Sequence, residues 1–576
     1  MKHTIHLFMW GYQPHFRSSV VILAREVLKQ IGLQVELDVL LVGVRKPGAG
    51  SPHAVCLEPE DGHWPVALFE GLDADVEAAI PYHPLQNMAY GHEPTMRDKP
   101  ENIRRSVIRD EVLRRLEAYD RDHDVVSFCG AVYPVDDYYV ATVIQAPKPV
   151  IDAFPPLMVK DLDGGEVKAA FLRSCIREVL TEAHGALVHP EPGRNLRGEM
   201  RSADEVIRKA AASFMRWAGF SVDEVSNVGD LFQDLNRVSS LMYEGHTGIG
   251  RLLLTNPESS AIEYVMRLQR PVPIREARWS RKLLQLATKD ILLIGNCRAI
   301  YGLGRMRSSA DTKSPSALYI DFLDHYQWDL RSSDRILLRT RFGEARLPQE
   351  PISHERFEDN VVRLFEGLQQ PDVERLWFIF NVVARQLQGN MVVIAADAAD
   401  EARRLGGQGT LIEATATTEE LLERASRIDG TIIIDPQGVC HAIGVILDGG
   451  ASDKCTPSRG ARFNSAVRYV GSSAAPRMAI VVSEDRTVDV LPLLRPRVPQ
   501  ADIERALSEF SVATLENYHA TRSFLDKHRF YLSAEQCERA NQALTRLDHL
   551  PKELGQIYIG TPHFTPHPEM NEGYLI

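Results

Sequence analysis

Three short apolar runs constrain this chain most: Met391–Ala395, Ile432–Ile434 and Met478–Val482. Each reads as a strand, and the first two have the unbroken apolar character of strands buried inside an α/β sheet. Helical spacing surrounds them. Pro371 suits a first helical turn, where its missing N–H costs nothing. Val373, Leu376, Phe380, Val383 and Leu387 then recur at helical intervals until Gly389. A second helix is expected over Ala399–Leu405, closed by Gly406 and Gly407. Thr417 and Glu420 form a capping-box pattern ahead of Leu421, Leu422 and Ala425. Asp435-Pro436-Gln437-Gly438 is a turn sequence, with proline second and glycine fourth. Val439–Leu447 should therefore return as the hairpin partner of Ile432–Ile434. After a polar loop, Asp448–Ser458, a helix is expected to open at Arg459-Gly460 and run to Val470, ahead of the third apolar run. Helix, strand, helix, hairpin, loop, helix and strand make one mixed-sheet α/β layer structure.

The 576 residues allow about three or four domains, and the pattern divides them at 1–150, 151–355, 356–500 and 501–576. The first part reads as α/β: a strand at Thr4–Trp10, a helix at Ser18–Ile31 stopped by Gly32, and a strand at Val35–Val44. This is the order of a β-α-β unit, but GxGxxG is absent, so no dinucleotide site is expected. Lys46–His53 carries glycines without the GK[ST] ending of a phosphate loop and reads as a plain loop. The second part is read as α+β, with a helix at Ser202–Trp217 and strands at Gly250–Leu254, Asp290–Ile294 and Arg335–Arg341. Arg298–Arg307 mixes glycines with arginines; it reads as a turn beside solvated charges, with anion binding the other reading. The last part should be helical at Ala501–Phe510 and Ala534–Leu547. His563 and His567 stand four apart, but Pro562, Pro566 and Pro568 forbid the helix that would pair them as metal ligands.

The net charge of −12 gives no basic footprint for nonspecific nucleic-acid binding. Seven scattered cysteines without a CxxC pair argue against a disulfide framework or a zinc ribbon and fit a reducing cytoplasm. The opening residues lack the apolar stretch of a secretory leader. No apolar run approaches the ~20 residues that span a bilayer, so a cytoplasmic protein without a membrane anchor is expected.

Phosphate handling is the chemistry these motifs suggest. Asp429 sits at a strand start, where a rigidly held carboxylate is the usual protein ligand for Mg²⁺ or Mn²⁺ in a nucleotide site. Gly430 would let a ligand approach the backbone. Gly460 and the amides after it open a helix, and helix N-termini bind anions. Arg462 can fork onto phosphate oxygens. Singly, an Asp-Gly before a strand is commonly a turn, and an arginine early in a helix is commonly a surface residue.

Together the motifs say more. Asp429-Gly430-Thr431, then Gly460-Ala461-Arg462-Phe463-Asn464-Ser465-Ala466, then Val482-Ser483-Glu484-Asp485 resemble, in order and spacing, the diadenylate cyclase domain family. The resemblance covers about residues 365–495. Members of that family join two ATP molecules into cyclic di-AMP, a nucleotide second messenger, with two domains facing one another. The resemblance therefore implies ATP and a second copy of the domain as partners, hence a homo-oligomer, and Mg or Mn as cofactor. Asp429 would hold the metal and, with Arg462, be catalytic. Gly430 and Thr431 would lie along the nucleotide. Gly460, Arg462, Asn464 and Ser465 would meet the triphosphate, and Ser483 and Glu484 would line the pocket. By likeness of architecture, the α/β parts upstream would be regulatory or sensor domains.

Two positions depart from the family: its histidine is Phe463 and its second arginine is Asn464. Phe463 cannot hydrogen-bond a phosphate, and Asn464 donates without charge. One lost charge-assisted hydrogen bond is worth about 1.5–3 kcal/mol, or about 10- to 150-fold. Arg459, Arg468 and Lys454 are candidate replacements. Three functions follow: a cyclase nucleotidyltransferase joining ATP or other nucleotides, a catalytically degenerate nucleotide-binding sensor module, or a structural, partner-binding domain.

Overall fold

The computed structural model describes residues 9–59, 64–89, 91–160, 165–194, 200–222, 229–288, 290–307, 317–332, 335–348, 352–386, 389–452, 455, 460–483, 487–514, 518–550 and 563–576. The chain divides into two units, Met1–Pro348 and Gln349–Ile576. Of the expected strand Thr4–Trp10, only Met9 and Trp10 are described, and they form a bend. Among the described residues, no helix is long and apolar enough to cross a membrane.

The first unit opens with the expected helix, Gln13–Gln30, followed by strand Asp38–Arg45. That strand pairs antiparallel with Val55–Glu58 on one edge and Tyr138–Pro147 on the other. Both its edges are thus taken, and it has no parallel neighbour of the kind a tight β-α-β unit would give it. The rest of this antiparallel sheet is Val125–Cys129 and Tyr133–Val135, both on Tyr138–Pro147. The loop reading of Lys46–His53 agrees with the structure.

Further along, helix Ala203–Val222 and strands Gly250–Leu254, Leu292–Gly295 and Arg335–Arg341 match the apolar spacing. The last three belong to an eight-stranded sheet that also contains Ala299–Met306. The turn expected at Arg298–Arg307 is therefore a strand, and its glycines have a sheet-packing cause. A Cβ at Gly302 would stand 2.1 Å from the Met266 carbonyl oxygen, and one at Gly304 2.8 Å from that of Glu263. Both glycines sit at register shifts against strand Ile262–Pro273, where backbones approach closely.

The second unit begins with helices α1 (His354–Leu364) and α2 (Gln370–Ala384), with Pro371 in the first turn of α2. Strand β1 (Asn390–Ala395), helix α3 (Ala398–Arg404) and strand β2 (Thr410–Ala416) follow. Helix α4 (Glu419–Ala425) is capped by Thr418, whose hydroxyl accepts the Leu421 N–H, rather than by Thr417. The buried strand β3 (Thr431–Ile434) leads into β4 (Val439–Val445) through the predicted turn. There the Gly438 N–H bonds the Asp435 carbonyl at 2.9 Å, and Asp435 Oδ1 accepts the Gln437 and Val439 amides. Helix α5 (Ala461–Gly471), strand β5 (Arg477–Val482) and strand β6 (Val488–Leu491) complete the sheet, in the order β2-β4-β3-β1-β5-β6. Only β1 and β3 pair in parallel; the other pairs are antiparallel, so the sheet is mixed.

Alternation along the central strands supplies both faces. Val392, Ile394, Ile432, Ile434 and Ile480 pack under α1, α2 and α4. Met391, Val393, Ile433, Ala479 and Val481 pack under α3 and α5. Three further helices, α6 (Gln500–Val512), α7 (Tyr518–Lys527) and α8 (Ala534–Asp548), form their own core with Phe564 and Tyr574 from the tail.

Candidate nucleotide site

Strand direction assembles the site. The parallel register Met391↔Thr431 puts the starts of β1 and β3 at one end of the sheet. Because β5 runs antiparallel to β1, with Asn390 opposite Val482, its C-terminal end lies there too. Asp429 and Gly430, just before β3, and Ser483, just after β5, thus share one sheet end. Helix α5 must end near the start of β5, and Arg477 lies opposite Ala395 at the far end. Its first turn is consequently delivered to the Asp429 end. Arg462 Nη2 stands 3.3 Å from Asp429 Oδ1, across 33 residues of sequence. The Asp429 side chain is 93% exposed, so its carboxylate is open to a ligand, while that of Arg462 is 35% exposed.

The other predicted positions separate by their surroundings. Gly430 has φ +121°, and a Cβ there would lie 2.5 Å from the Gly444 carbonyl carbon. Gly444 itself has φ +63°. Close approach of β3 and β4 at a register shift therefore accounts for this glycine. Thr431 is fully buried and lies on the face of β3 that carries Ile433, toward α3 and α5; its hydroxyl has no hydrogen-bond partner among the described residues. Gly460 is open, with nothing within 4 Å of a built Cβ. It caps α5 without a side-chain hydrogen bond, and no acidic residue follows in the first turn. The positive end of the helix dipole there is not offset by an acidic side chain of that turn. Phe463, Asn464 and Ser465 are half-buried on the same turn and the next. The Asn464 carbonyl accepts the Cys455 thiol at 3.7 Å. Ser483 is half-buried, and its N–H donates to the Thr487 carbonyl at 2.9 Å. Glu484, Lys454 and Arg459 lie outside the described residues. Arg468 lies in the last turn of α5, away from the first.

One part of the site was not foreseen. Glu401 on α3 is buried and accepts two bonds from Arg404, at 2.8 and 2.9 Å, and one from the Tyr469 hydroxyl at 2.8 Å. Arg477 joins it at 3.1 Å and also binds Asp397 at 2.7 Å. Arg404 continues to both oxygens of Asp448, at 2.6 and 2.7 Å, at the start of the loop that leads to α5. The Arg404 guanidinium, helped by the Tyr469 hydroxyl, holds the Glu401 carboxyl below its ordinary range, and Arg404 does the same to Asp448. Burial, with the bond to Glu401, pushes the Tyr469 phenol up. The network ties α3, α5, β5 and the loop together on the face that carries α5.

Among the described residues, no group of three or more His, Cys, Asp or Glu side chains could hold a metal. Asp429 offers a single hard oxygen ligand. That suits Mg²⁺ or Mn²⁺ of the kind bound by one or two carboxylates together with substrate phosphates, and not a cage made by protein alone.

Residues 380–491 match the model described as "DisA bacterial checkpoint controller nucleotide-binding". The chain carries a DAC-family domain. Two sensor-type domains precede it: residues 9–215 match "Probable sensor domain DACNG" and residues 229–334 match "Probable sensor domain DACNH". Among solved structures, a double-cysteine mutant of DacA from Staphylococcus aureus matches at 21% identity, over 24% of this chain and 97% of that one. Its TM-score of 0.19 is too low to bear on the geometry of the DAC domain. No curated protein matches.

Proposed function

We propose that the DAC domain binds ATP with Mg²⁺ or Mn²⁺, and that two such domains, facing one another in a homo-oligomer, condense two ATP into cyclic di-AMP. The observation that supports this most is the convergence of Asp429 and Arg462 at one sheet end, with the carboxylate open to solvent. In this reading Arg462 turns from Asp429 onto the triphosphate, joined by the start of helix α5 after Gly460 and by Asn464 and Ser465. Asp429 would then hold the cation, which would supply positive charge at the phosphates. Ser483 and Glu484 line the nucleotide, and the backbone at Gly430 and Thr431 runs beside it. Each ribose 3′-hydroxyl attacks the α-phosphorus of the other ATP. The bond to the β-phosphate breaks, two pyrophosphates leave, and the hydroxyl protons pass to solvent. Positioning and charge neutralisation do most of this work. The preceding domains then set how often two DAC domains meet, by population shift.

A second reading rests on Phe463 and Asn464, which replace two groups that would otherwise clamp phosphate. It makes the domain a nucleotide-binding module without turnover. Incubating the protein with ATP and Mn²⁺, and resolving products by mass spectrometry beside an Asp429→Ala control, separates the two. A cyclic dinucleotide lost in the control supports the cyclase. Saturable ATP binding without product supports the module, and neither result removes both.

A further inference from the structure

In the first sensor-type domain, arginines gather at a sheet edge without carboxylates to match them. The antiparallel sheet ends at strand Val125–Cys129, which among the described residues pairs only with Tyr138–Pro147. At an edge, groups from the two faces of a sheet can meet. Phe128 packs on the face that carries helix Phe171–Leu187, and Cys129 on the face that carries helix Glu93–His123. The first helix brings Arg173, whose guanidinium lies 5.5 Å from the Phe128 ring centroid, and Arg177 one turn further on the same side. The second helix brings Arg109, whose charge acts on both Cys129 and Arg177.

These guanidiniums are poorly compensated. Arg109 has Asp110 at 3.8 Å, with both side chains half-exposed, a pair of little weight. Arg173 and Arg177 make no hydrogen bond or ion pair among the described residues, and the Arg173 Nε is buried without a partner. Asp152 is near enough to act on Arg173, but more weakly than Arg177 does. Burial and then the Arg177 charge lower the Arg173 guanidinium from its ordinary value, and burial and then Arg109 do the same to Arg177. Arg177 is nonetheless exposed to solvent. A side chain that protein crowds and water still reaches sits in a recess of the surface. Cys129 does not supply the missing negative charge, because burial pushes its thiol up to about 12 and keeps it neutral. Like charges held together in a partly desolvated recess are unfavourable by themselves. An anion with several charged oxygens relieves the repulsion and fills the guanidinium forks.

We propose that this recess is an anion site of the sensor-type domain, in which Arg109, Arg173 and Arg177 hold the phosphate of a small ligand. Forks that arrive from two helices suit a phosphate group, whose oxygens point in several directions, better than a flat carboxylate. The multiple charge of a phosphate also matches a recess with more than one cation left without a carboxylate. The assignment does not depend on the chemistry of the DAC domain.

Calorimetric titration of the full chain with inorganic pyrophosphate, without divalent cations, tests it beside acetate at matched ionic strength. Saturable pyrophosphate binding is expected, with acetate at least about tenfold weaker. Arg173→Gln and Arg177→Gln should each weaken pyrophosphate by about tenfold or more. Arg462→Gln, which removes a cation of the DAC domain, should leave that binding in place. In phosphate-free buffer Arg177→Gln should melt no lower than wild type, since it removes a repelled and partly desolvated charge, and the same curve shows that the variant folds. The proposal is overturned if pyrophosphate shows no saturable binding at about 10 mM, if acetate binds as tightly, if Arg177→Gln leaves pyrophosphate affinity unchanged, or if the binding disappears in Arg462→Gln. A lower melting temperature for Arg177→Gln would assign that guanidinium to the fold and overturn it too.

Discussion

Gly430 and Gly460 both read as ligand-contact glycines in the sequence, and the structure separates them. At Gly430 an alanine must adopt φ +121° and place its Cβ 2.5 Å from the Gly444 carbonyl carbon and 2.8 Å from its oxygen. Backbone in a paired strand cannot step aside as a side chain would. A strained non-glycine conformation costs about 1–3 kcal/mol, and overpacking adds about 1–3 kcal/mol. The sum, about 2–6 kcal/mol, is a large share of the ~5–15 kcal/mol that holds a domain together. At Gly460 the space is open and φ is −62°. Alanine there should cost under about 1 kcal/mol, since it is only a poorer helix cap than glycine. Hydrogen exchange of peptides spanning Thr431–Val445 in the full chain reads the difference. Gly430→Ala should lower protection by about 30-fold to 10⁴-fold, using ~1.4 kcal/mol per tenfold. Gly460→Ala should leave protection as it is. If Gly430→Ala kept wild-type protection and lost only ATP binding, the packing account would be wrong and this glycine would serve the ligand.

Phe463→His with Asn464→Arg should raise cyclic dinucleotide formation by about 10-fold or more where phosphate clamping limits turnover; an ATP-binding protein that gains nothing refutes that limit. Glu401→Gln should cost about 1–3 kcal/mol near neutral pH by chemical denaturation, because Arg404, Arg477 and Tyr469 lose a charged acceptor. The same variant tests the pH response. Glu401 and Asp448 have carboxyls held low in the fold, so their contribution is complete above the unfolded value of about 4 and is lost as pH falls through the lower folded values. Stability of the wild-type protein should accordingly fall more steeply than that of Glu401→Gln on acidification from about pH 5 to pH 3, and parallel curves would contradict the network.

What the sequence discloses follows from where its signals are local. β1, β3 and β5 were legible because both their faces are buried and the residues say so. β2 was not: all but one of its residues are exposed, so its identity as a strand comes from backbone pairing with β4. Thr417 and Thr418 are chemically the same candidate cap, and only the chain's path chose the second. The glycines and arginines of Arg298–Arg307 look like a turn until the neighbouring strand, some thirty residues away in sequence, is in place. The Asp429–Arg462 meeting was reached through the order of the motifs and family resemblance, since neither residue announces the other. Glu401, Tyr469 and Arg477 carried no signal: their partners lie 68 to 80 residues apart in the case of Tyr469 and Asp397, and each alone is an ordinary polar residue in or beside an amphipathic element.

Helix α5 is fastened at its tail. Its buried side chains are Ala466 and Tyr469, and Tyr469 is held by Glu401 and covered by Arg477, whose guanidinium lies 4.4 Å from the ring centroid. At its first turn Arg462 reaches the solvent-exposed Asp429 carboxylate at 3.3 Å. Seven residues separate the fixed point from Arg462, about 10 Å along the axis. Over that length a tilt of about 6° about Tyr469 would carry the guanidinium about 1 Å. A displacement of that size costs on the order of 10²-fold in a positioned reaction. Under the proposed function, substitutions around Tyr469 should thus be felt at Arg462 as well as in the melting temperature.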